Sequence, residues 1–284
     1  MGGIDTPLEL YSDPGAFREQ AVRYLAENEA ANNLLLGILA QLAAHTRDAA
    51  PYLALCTGES GIEGAAIRTP PMHLLLAQGA SRRALEELAA DLLQRSPDLP
   101  GVLGERAAAA AFAELWRERT GRGHVLAVAE RIYELTAVVP PPAASGRMRR
   151  AGAADEPLLR SWIRAFQEES GAVSADPGRS LAARLLVDPA QGGMHIWEDG
   201  EPVSLAGYSG PTPTGIRIGP VYTPPDLRGR GYATTLVAQL SQALLRRGLQ
   251  RVFLFTNLAN RTANDIYQRI GYRPVADADQ LRFL

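Results

Sequence analysis

The residues best able to do chemistry lie in one segment, Ile218-Gly219-Pro220-Val221-Tyr222-Thr223-Pro224-Pro225-Asp226-Leu227-Arg228-Gly229-Arg230-Gly231-Tyr232-Ala233-Thr234. An apolar strand runs into two prolines. A glycine-rich loop then opens an amphipathic helix with Leu236, Val237, Leu240, Leu244 and Leu245 on one face. Glycines let successive backbone N–H groups converge on an anion, and the positive end of a helix favours phosphate. With Arg228 and Arg230 in the loop, the chemistry is that of a pyrophosphate cradle; the alternative is a helix cap that holds no ligand. Other phosphate loops fit less well. A nucleoside-triphosphate loop needs GxxxxGK[ST], and the chain has no lysine. A dinucleotide fingerprint needs GxGxxG, whereas Gly229-x-Gly231 is followed by Thr234. It also wants an acid about 20 residues on, where Arg251-Val252 stand at a strand start.

A second segment, Val252 to Tyr272, reads as a buried strand, an asparagine-capped helix from Asn260 and a glycine stop at Gly271. Asn260 and Tyr267 are seven residues apart, two helical turns, and so share a face. Taken singly, they are a cap and a packing residue. Arg228, Gly231 and Ala233 match R-x-x-G-x-A, and with the strand before them the sequence resembles the GCN5-related N-acetyltransferase (GNAT) family, whose signature is [QR]-x-x-G-x-[GA]. The second segment resembles the family's other signature, an Asn opening the helix beside the cofactor and a Tyr shortly before "GY" or "GF". The motif-specific part of the resemblance runs from Gly215 to Val275.

The resemblance implies acetyl-CoA as acyl donor, lying in a split between parallel strands. It implies that backbone groups of Val221, Tyr222 and Thr223 hold the pantetheine arm. The segment Arg228, Gly229, Arg230, Gly231, Tyr232, Ala233, Thr234 then holds the pyrophosphate, and Asn260 faces the pantetheine side. Tyr267 stands near the sulfur and protonates the departing thiolate. Many relatives carry a carboxylate base on the strand before Asn260, in the region where this chain has Phe255, so a base must come from elsewhere. Glu168 and Glu169 lie in the region that lines the acceptor site in relatives and are the candidates, with a solvated helix end as the alternative. Trp197 and Phe166 are candidate walls of an acceptor pocket, against core packing. His195, alone in an apolar strand, reads as a core residue. No metal site is expected.

These residues need elements to position them. The run Pro140-Pro141-Pro142 cannot continue a helix or a central strand, so residues 139–147 read as a stiff, extended linker between two halves, 1–138 and 148–284. Each half begins with a short extended stretch, at Leu8 and at Met148, then an acid-and-proline helix start, Asp13-Pro14 and Asp155-Glu156-Pro157. Helical stretches from Phe17 to Leu42 and from Leu158 to Leu186 follow, the second broken at Ala175-Asp176-Pro177-Gly178. Strands then alternate with turns, and each half closes with helix, strand, helix and an extended segment. Gly121 and Gly271, each ending a last helix, are 150 residues apart, as are Gln78 and Arg228, each opening the loop before the preceding helix. This points to an internal duplication. The expected fold class is α/β (α+β), as two tandem GNAT-like mixed-sheet domains with helices on both faces. At the repeat spacing Ser81 and Arg83 replace Gly231 and Ala233, and Ala110 and Arg117 replace Asn260 and Tyr267. The first half is therefore expected to be a degenerate copy that binds no cofactor.

Composition narrows the remaining options. The chain has 284 residues, a net charge of −2, 46% hydrophobic and 21% charged residues, values of a globular protein large enough for two cores. All 29 basic residues are arginine, which excludes lysine chemistry, and the 31 acids interspersed among them leave no basic block for nucleic acid. A single cysteine, Cys56, excludes an internal disulfide framework. Without a long apolar run or a signal segment, the chain reads as cytoplasmic, with no membrane partner. The expected function is acetyl-CoA-dependent N-acetyl transfer to a small-molecule or peptide amine; a homodimer is compatible with it. The alternative is a CoA-binding regulatory protein without catalysis.

Overall fold

The computed structural model describes residues 8–42, 49–170 and 192–284. The chain divides into two compact units, one holding residues up to Arg131 together with Ala276–Leu284, the other Ile132–Val275. Unit 1 runs β1 (Leu8–Leu10), α1 (Pro14–Glu27), α2 (Asn33–Leu42), β2 (Tyr52–Gly58), β3 (Gly61–Arg68), β4 (Leu74–Leu76), α3 (Arg82–Arg95), β5 (Gly101–Glu105), α4 (Arg106–Thr120) and most of β6 (His124–Leu135). Unit 2 runs from the end of β6 through β7 (Arg147–Arg150), α5 (Glu156–Ser170), β8 (Gly192–Asp199), β9 (Glu201–Ser209), β10 (Gly215–Tyr222), α6 (Tyr232–Arg246), β11 (Arg251–Asn257) and α7 (Arg261–Arg269). The last strand, β12 (Arg273–Phe283), begins in unit 2 and ends in unit 1.

In unit 1 the strand order is β1-β2-β3-β4-β5-β12-β6. β4 and β5 are parallel, whereas β1 to β4 pair antiparallel in sequence and β12 pairs antiparallel with β5. Side chains of alternate residues leave opposite faces of a strand, and the cores follow that period. Ala54, Cys56 and Ala66 pack with α3 and α4, while Leu53, Leu55, Ala65 and Ile67 pack with α1 and α2. Unit 2 has the order β6-β11-β10-β9-β8-β7 and the same two-faced logic. Ala206, Ile216, Ile218, Val252 and Leu254 meet Leu236, Val237, Leu240 and Leu244 of α6, while Met194, Ile196 and Leu205 meet Leu159 and Ile163 of α5. Burying a large aliphatic side chain contributes about 1.5–3 kcal/mol, so the α6 face alone anchors the loop before it. The fold is thus a mixed α/β architecture in each unit, with helices on both faces.

Several expectations need redrawing. The stretch Phe17–Leu42 is two helices, because α1 ends at Asn28 and a turn follows. Asn32 is spent there on tertiary contacts, donating to the Leu25 carbonyl and accepting from the Gln78 N–H. Of the helix expected from Leu158 to Leu186, α5 accounts for the start, and the remainder lies outside the described residues. The extended segment 139–147 is tied to unit 2: the Val139 N–H donates to the Ile270 carbonyl, and Val138 and Ala144 pack on the core of unit 2. The compact units also divide the chain elsewhere than at the proline run. β12 pairs Ala278–Arg282 with Glu105–Gly101, and Leu281 and Phe283 join the α3–α4 core, where Phe283 stacks on Trp116 at 5.6 Å.

Candidate active site

The site grows from a parallel pair that does not stay paired. β10 and β11 are in register over Gly215–Arg217 and Arg251–Phe253. Beyond these residues both strands continue, to Tyr222 and Asn257, without pairing each other. On its other side β10 stays bonded to β9, with a register shift between Ile218 and Val221. That leaves backbone groups of Ile218–Tyr222 and Leu254–Asn257 facing an opening. The end of β10 is pinned by Ser204, whose buried hydroxyl donates to the Tyr222 carbonyl at 3.0 Å and lies 2.8 Å from the Thr223 hydroxyl.

The chain then leaves β10 through Pro224 and a short 3₁₀ turn, Pro225–Leu227, into the glycine loop. Gly229 and Gly231 both take left-handed φ, +79° and +80°, a conformation costly to residues with a Cβ. Gly231 is the N-cap of α6 and supplies no side-chain cap. Among the described residues the first-turn N–H groups of α6 therefore have no intrahelical or side-chain acceptor, the arrangement that suits an anion. Neither arginine competes for that space. Arg228 donates through Nε to the Thr223 carbonyl at 2.9 Å and pairs with Glu169 at 2.6 Å, its guanidinium 5.8 Å from the centre of the Tyr222 ring. Arg230 turns back to the Asp226 carbonyl.

The other candidates fall into distinct environments. Asn260 is the N-cap of α7, its Oδ1 accepting from the Ala263 N–H at 3.0 Å. Asn264 ties that turn to β11 by donating to the carbonyls of Asn257 and Asn260. Tyr267, one face of the same helix inward, is 9% exposed, packed between Tyr133 and Tyr272 with ring centres 6.4 and 5.9 Å away. Burial pushes its phenol up to about 12. Tyr133 donates to the Asn264 side-chain oxygen and Tyr272 meets Ser241, whereas the Tyr267 hydroxyl has no hydrogen-bond partner among the described residues.

Glu168 is exposed at the end of α5. Glu169 pairs with the Arg228 guanidinium and lies beside the Tyr222 hydroxyl, so its carboxylate ties α5 to the loop after β10. Burial, with the Glu169 charge next in weight, raises the Tyr222 phenol. Trp162 lies 6.2 Å from Tyr222 and Phe166 packs on the same α5-side core. Trp197 is fully buried in the other core of unit 2 and is no pocket wall. His195 is a packed strand residue, its imidazole lowered to about 4 by burial, then by Arg150 and Arg247.

Residues 157–272 match the Acetyltransferase (GNAT) family. A mycothiol acetyltransferase from Geodermatophilus obscurus is 30% identical over 226 residues, 70% of this chain and 69% of that protein. The chain belongs to the GNAT acetyltransferase family. A mycothiol acetyltransferase from Beutenbergia cavernae is 28% identical over 193 residues, 63% of this chain and 62% of that protein, so the match spans under two thirds of that relative. A solved tandem GNAT protein from the clavulanic acid biosynthesis pathway aligns over 98% of both chains at 14% identity and a TM-score of 0.58, a likeness of fold.

Within this GNAT acetyltransferase, unit 1 repeats the strand–loop–helix plan with different chemistry. β4 and β5 are its parallel pair, and α3 follows the loop. There Ser81 caps the helix itself, its Oγ accepting from the Ala84 N–H at 3.1 Å and donating to the Glu63 carboxylate at 3.0 Å. The helix start is already satisfied, with a carboxylate beside it. The GNAT motifs led to the glycine loop, Asn260 and Tyr267; they did not lead to Ser204 or Asn264, whose roles arise from partners 18 and 7 residues away. Among the described residues no cluster of three or more His, Cys, Asp or Glu could hold a metal, and no helix is long and apolar enough to cross a membrane.

Proposed function

We propose that the chain is an acetyl-CoA-dependent N-acetyltransferase whose working site is in unit 2. The observation that carries this reading is the uncapped start of α6 at Gly231, set beside strands that part after Arg217 and Phe253. The opening between β10 and β11 fits an extended arm, and the N–H groups from Gly229 to Thr234 fit a pyrophosphate. Backbone groups of Val221, Tyr222 and Thr223 hold the pantetheine arm by strand-like hydrogen bonds, and the amide of Asn260 closes its other side.

Bound acetyl-CoA supplies an acetyl group activated as a thioester. The amine nitrogen bonds to the acetyl carbon as the carbon–sulfur bond breaks, and the nitrogen gives up one proton to Glu168, which passes it to water. Tyr267 delivers its phenolic proton to the departing sulfur and recovers one from solvent. A thiol of pKa about 8.5 is a good leaving group, so its departure needs little help from an acid. Glu168 is the exposed carboxylate that can take the amine proton, and Glu169 positions Arg228. Unit 1 is a degenerate copy, since Ser81 and Glu63 occupy the place of the anion.

The acceptor is a small-molecule amine, a reading that the likeness to mycothiol acetyltransferases supports. Thiol release from acetyl-CoA, measured across a panel of small-molecule amines, tests the proposal. Acceptor-dependent thiol release is the expected result. Tight CoA binding with no thiol release on any amine would favour a CoA-sensing regulatory protein instead.

A further inference from the structure

We propose that Asp199, at the turn between β8 and β9, is a positioning residue for the pyrophosphate cradle, acting through the hydroxyls of Tyr232 and Ser145. The inference rests on the reading of the Gly229–Thr234 segment as the acetyl-CoA cradle. One carboxylate oxygen of Asp199 accepts from the Tyr232 hydroxyl at 2.7 Å and from the Ser145 hydroxyl at 2.6 Å. Tyr232 is the first residue of α6, directly after Gly231, so anchoring its ring fixes the backbone from which the first-turn N–H groups project.

Ser145 belongs to the extended segment before β7, and that segment is strapped across the start of α6. The Ala144 N–H donates to the buried Thr235 hydroxyl at 3.1 Å, which in turn donates to the Gly231 carbonyl at 3.1 Å. The Trp197 indole N–H donates to the Ser145 carbonyl at 2.7 Å. The next residue must be glycine: Gly146 sits at φ +99°, and a Cβ there would lie 2.3 Å from the Glu198 carbonyl oxygen. The strap therefore fixes the Gly231 carbonyl, the Tyr232 ring and the Asp199 turn as one unit.

Asp199 has the same sign of charge as a pyrophosphate, so its use is geometric. The two donated hydrogen bonds, with Arg230 adding a smaller share, hold its carboxyl below the usual carboxylate range. It stays an acceptor at neutral pH and keeps both hydroxyls turned away from the ligand space. A cradle built from backbone N–H groups depends on such support, since its donors cannot reorient one by one.

The test compares dissociation constants of the full chain for CoA and for pantetheine, which has the same arm but no pyrophosphate. Asp199→Ala should weaken CoA about tenfold and leave pantetheine within about twofold. Asp199→Asn, which keeps an acceptor oxygen for both hydroxyls, should restore most of the loss. Tyr232→Phe removes the same contact from the other side and should reproduce the alanine result if Asp199→Ala fails to fold. Equal weakening of both ligands, no weakening of either, or an Asn variant as poor as Ala overturns the positioning role. A wild-type chain that binds CoA no better than pantetheine overturns the cradle reading beneath it.

Discussion

Tyr267 is kept protonated by its apolar surroundings, and its hydroxyl has no hydrogen-bond partner among the described residues. With the phenol at about 12, it is protonated throughout the neutral range, so its own titration leaves no mark on rates between pH 6 and 10. Tyr267→Phe keeps the ring between Tyr133 and Tyr272 and should lower turnover about ten- to a hundredfold while CoA affinity stays put. Unchanged turnover under conditions where chemistry limits the rate would reduce Tyr267 to a packing residue. Glu169 makes the opposite case. Glu169→Gln breaks the pair with Arg228, and for such half-exposed partners the effect on stability is about 0.2–1 kcal/mol. Turnover should fall by less than about tenfold, whereas loss of a general base costs about 10²–10⁴. A larger fall, with a shifted acid limb in the pH profile, would return the base role to Glu169. The types and spacing of Asn260 and Tyr267 were legible in the sequence, but their environments were not. A heptad spacing puts two residues on one face of a helix, yet Asn260 is exposed as a cap while Tyr267 lies in the core of unit 2. The pairing of Glu169 with Arg228, 59 residues away, has no local signal at all.

At the scale of the element, the start of α6 was the most legible feature of the chain. Left-handed φ at Gly229 and Gly231, an amphipathic face and a preceding strand each leave a local mark, and all agree. Gly231→Glu places a side chain and a negative charge in that start and should abolish CoA binding in a calorimetric titration in which the wild type takes up one CoA per chain. Retained affinity would refute the cradle, and two equivalent sites per chain would refute the degeneracy of unit 1. The break between α1 and α2 was less legible, because buried Asn32 is polar in type but serves the fold through contacts with Leu25 and Gln78. β8 carries a different consequence. The folded chain keeps His195 neutral down to about pH 4, while the unfolded chain protonates it near the ordinary value of 6.5. Unfolding then takes up a proton between these values, so stability should be full above about pH 6.5 and fall as the pH drops toward 4. Denaturant midpoints measured across that window should decline less steeply for His195→Gln. An identical decline would assign the effect to other groups, of which His73, lowered by burial and then by Arg68, is one.

At the scale of the whole molecule, the mixed α/β class and the doubled plan were legible from the order of helices and strands and the 150-residue spacings. The destination of β12 was not, because an alternating strand sequence says that one face is buried but not beside which neighbour. Removing Ala276–Leu284 should therefore damage unit 1. It takes away the partner of β5 and the buried side chains of Leu281 and Phe283, each worth roughly 2–5 kcal/mol against a typical total of 5–15. Hydrogen exchange of the Gly101–Glu105 amides should rise sharply in the truncated chain, and unchanged protection there would contradict the assignment. The same strand has a consequence in time. During synthesis the first unit is nearly complete at Arg131, but its sheet must wait for Ala276–Leu284. At about 5–20 residues per second, that wait is roughly 8–30 s, during which β5 has an open edge and Trp116 stacks on Phe112 alone. The ribosome thus releases a first half that cannot finish folding on its own, and the order of folding runs against the order of translation.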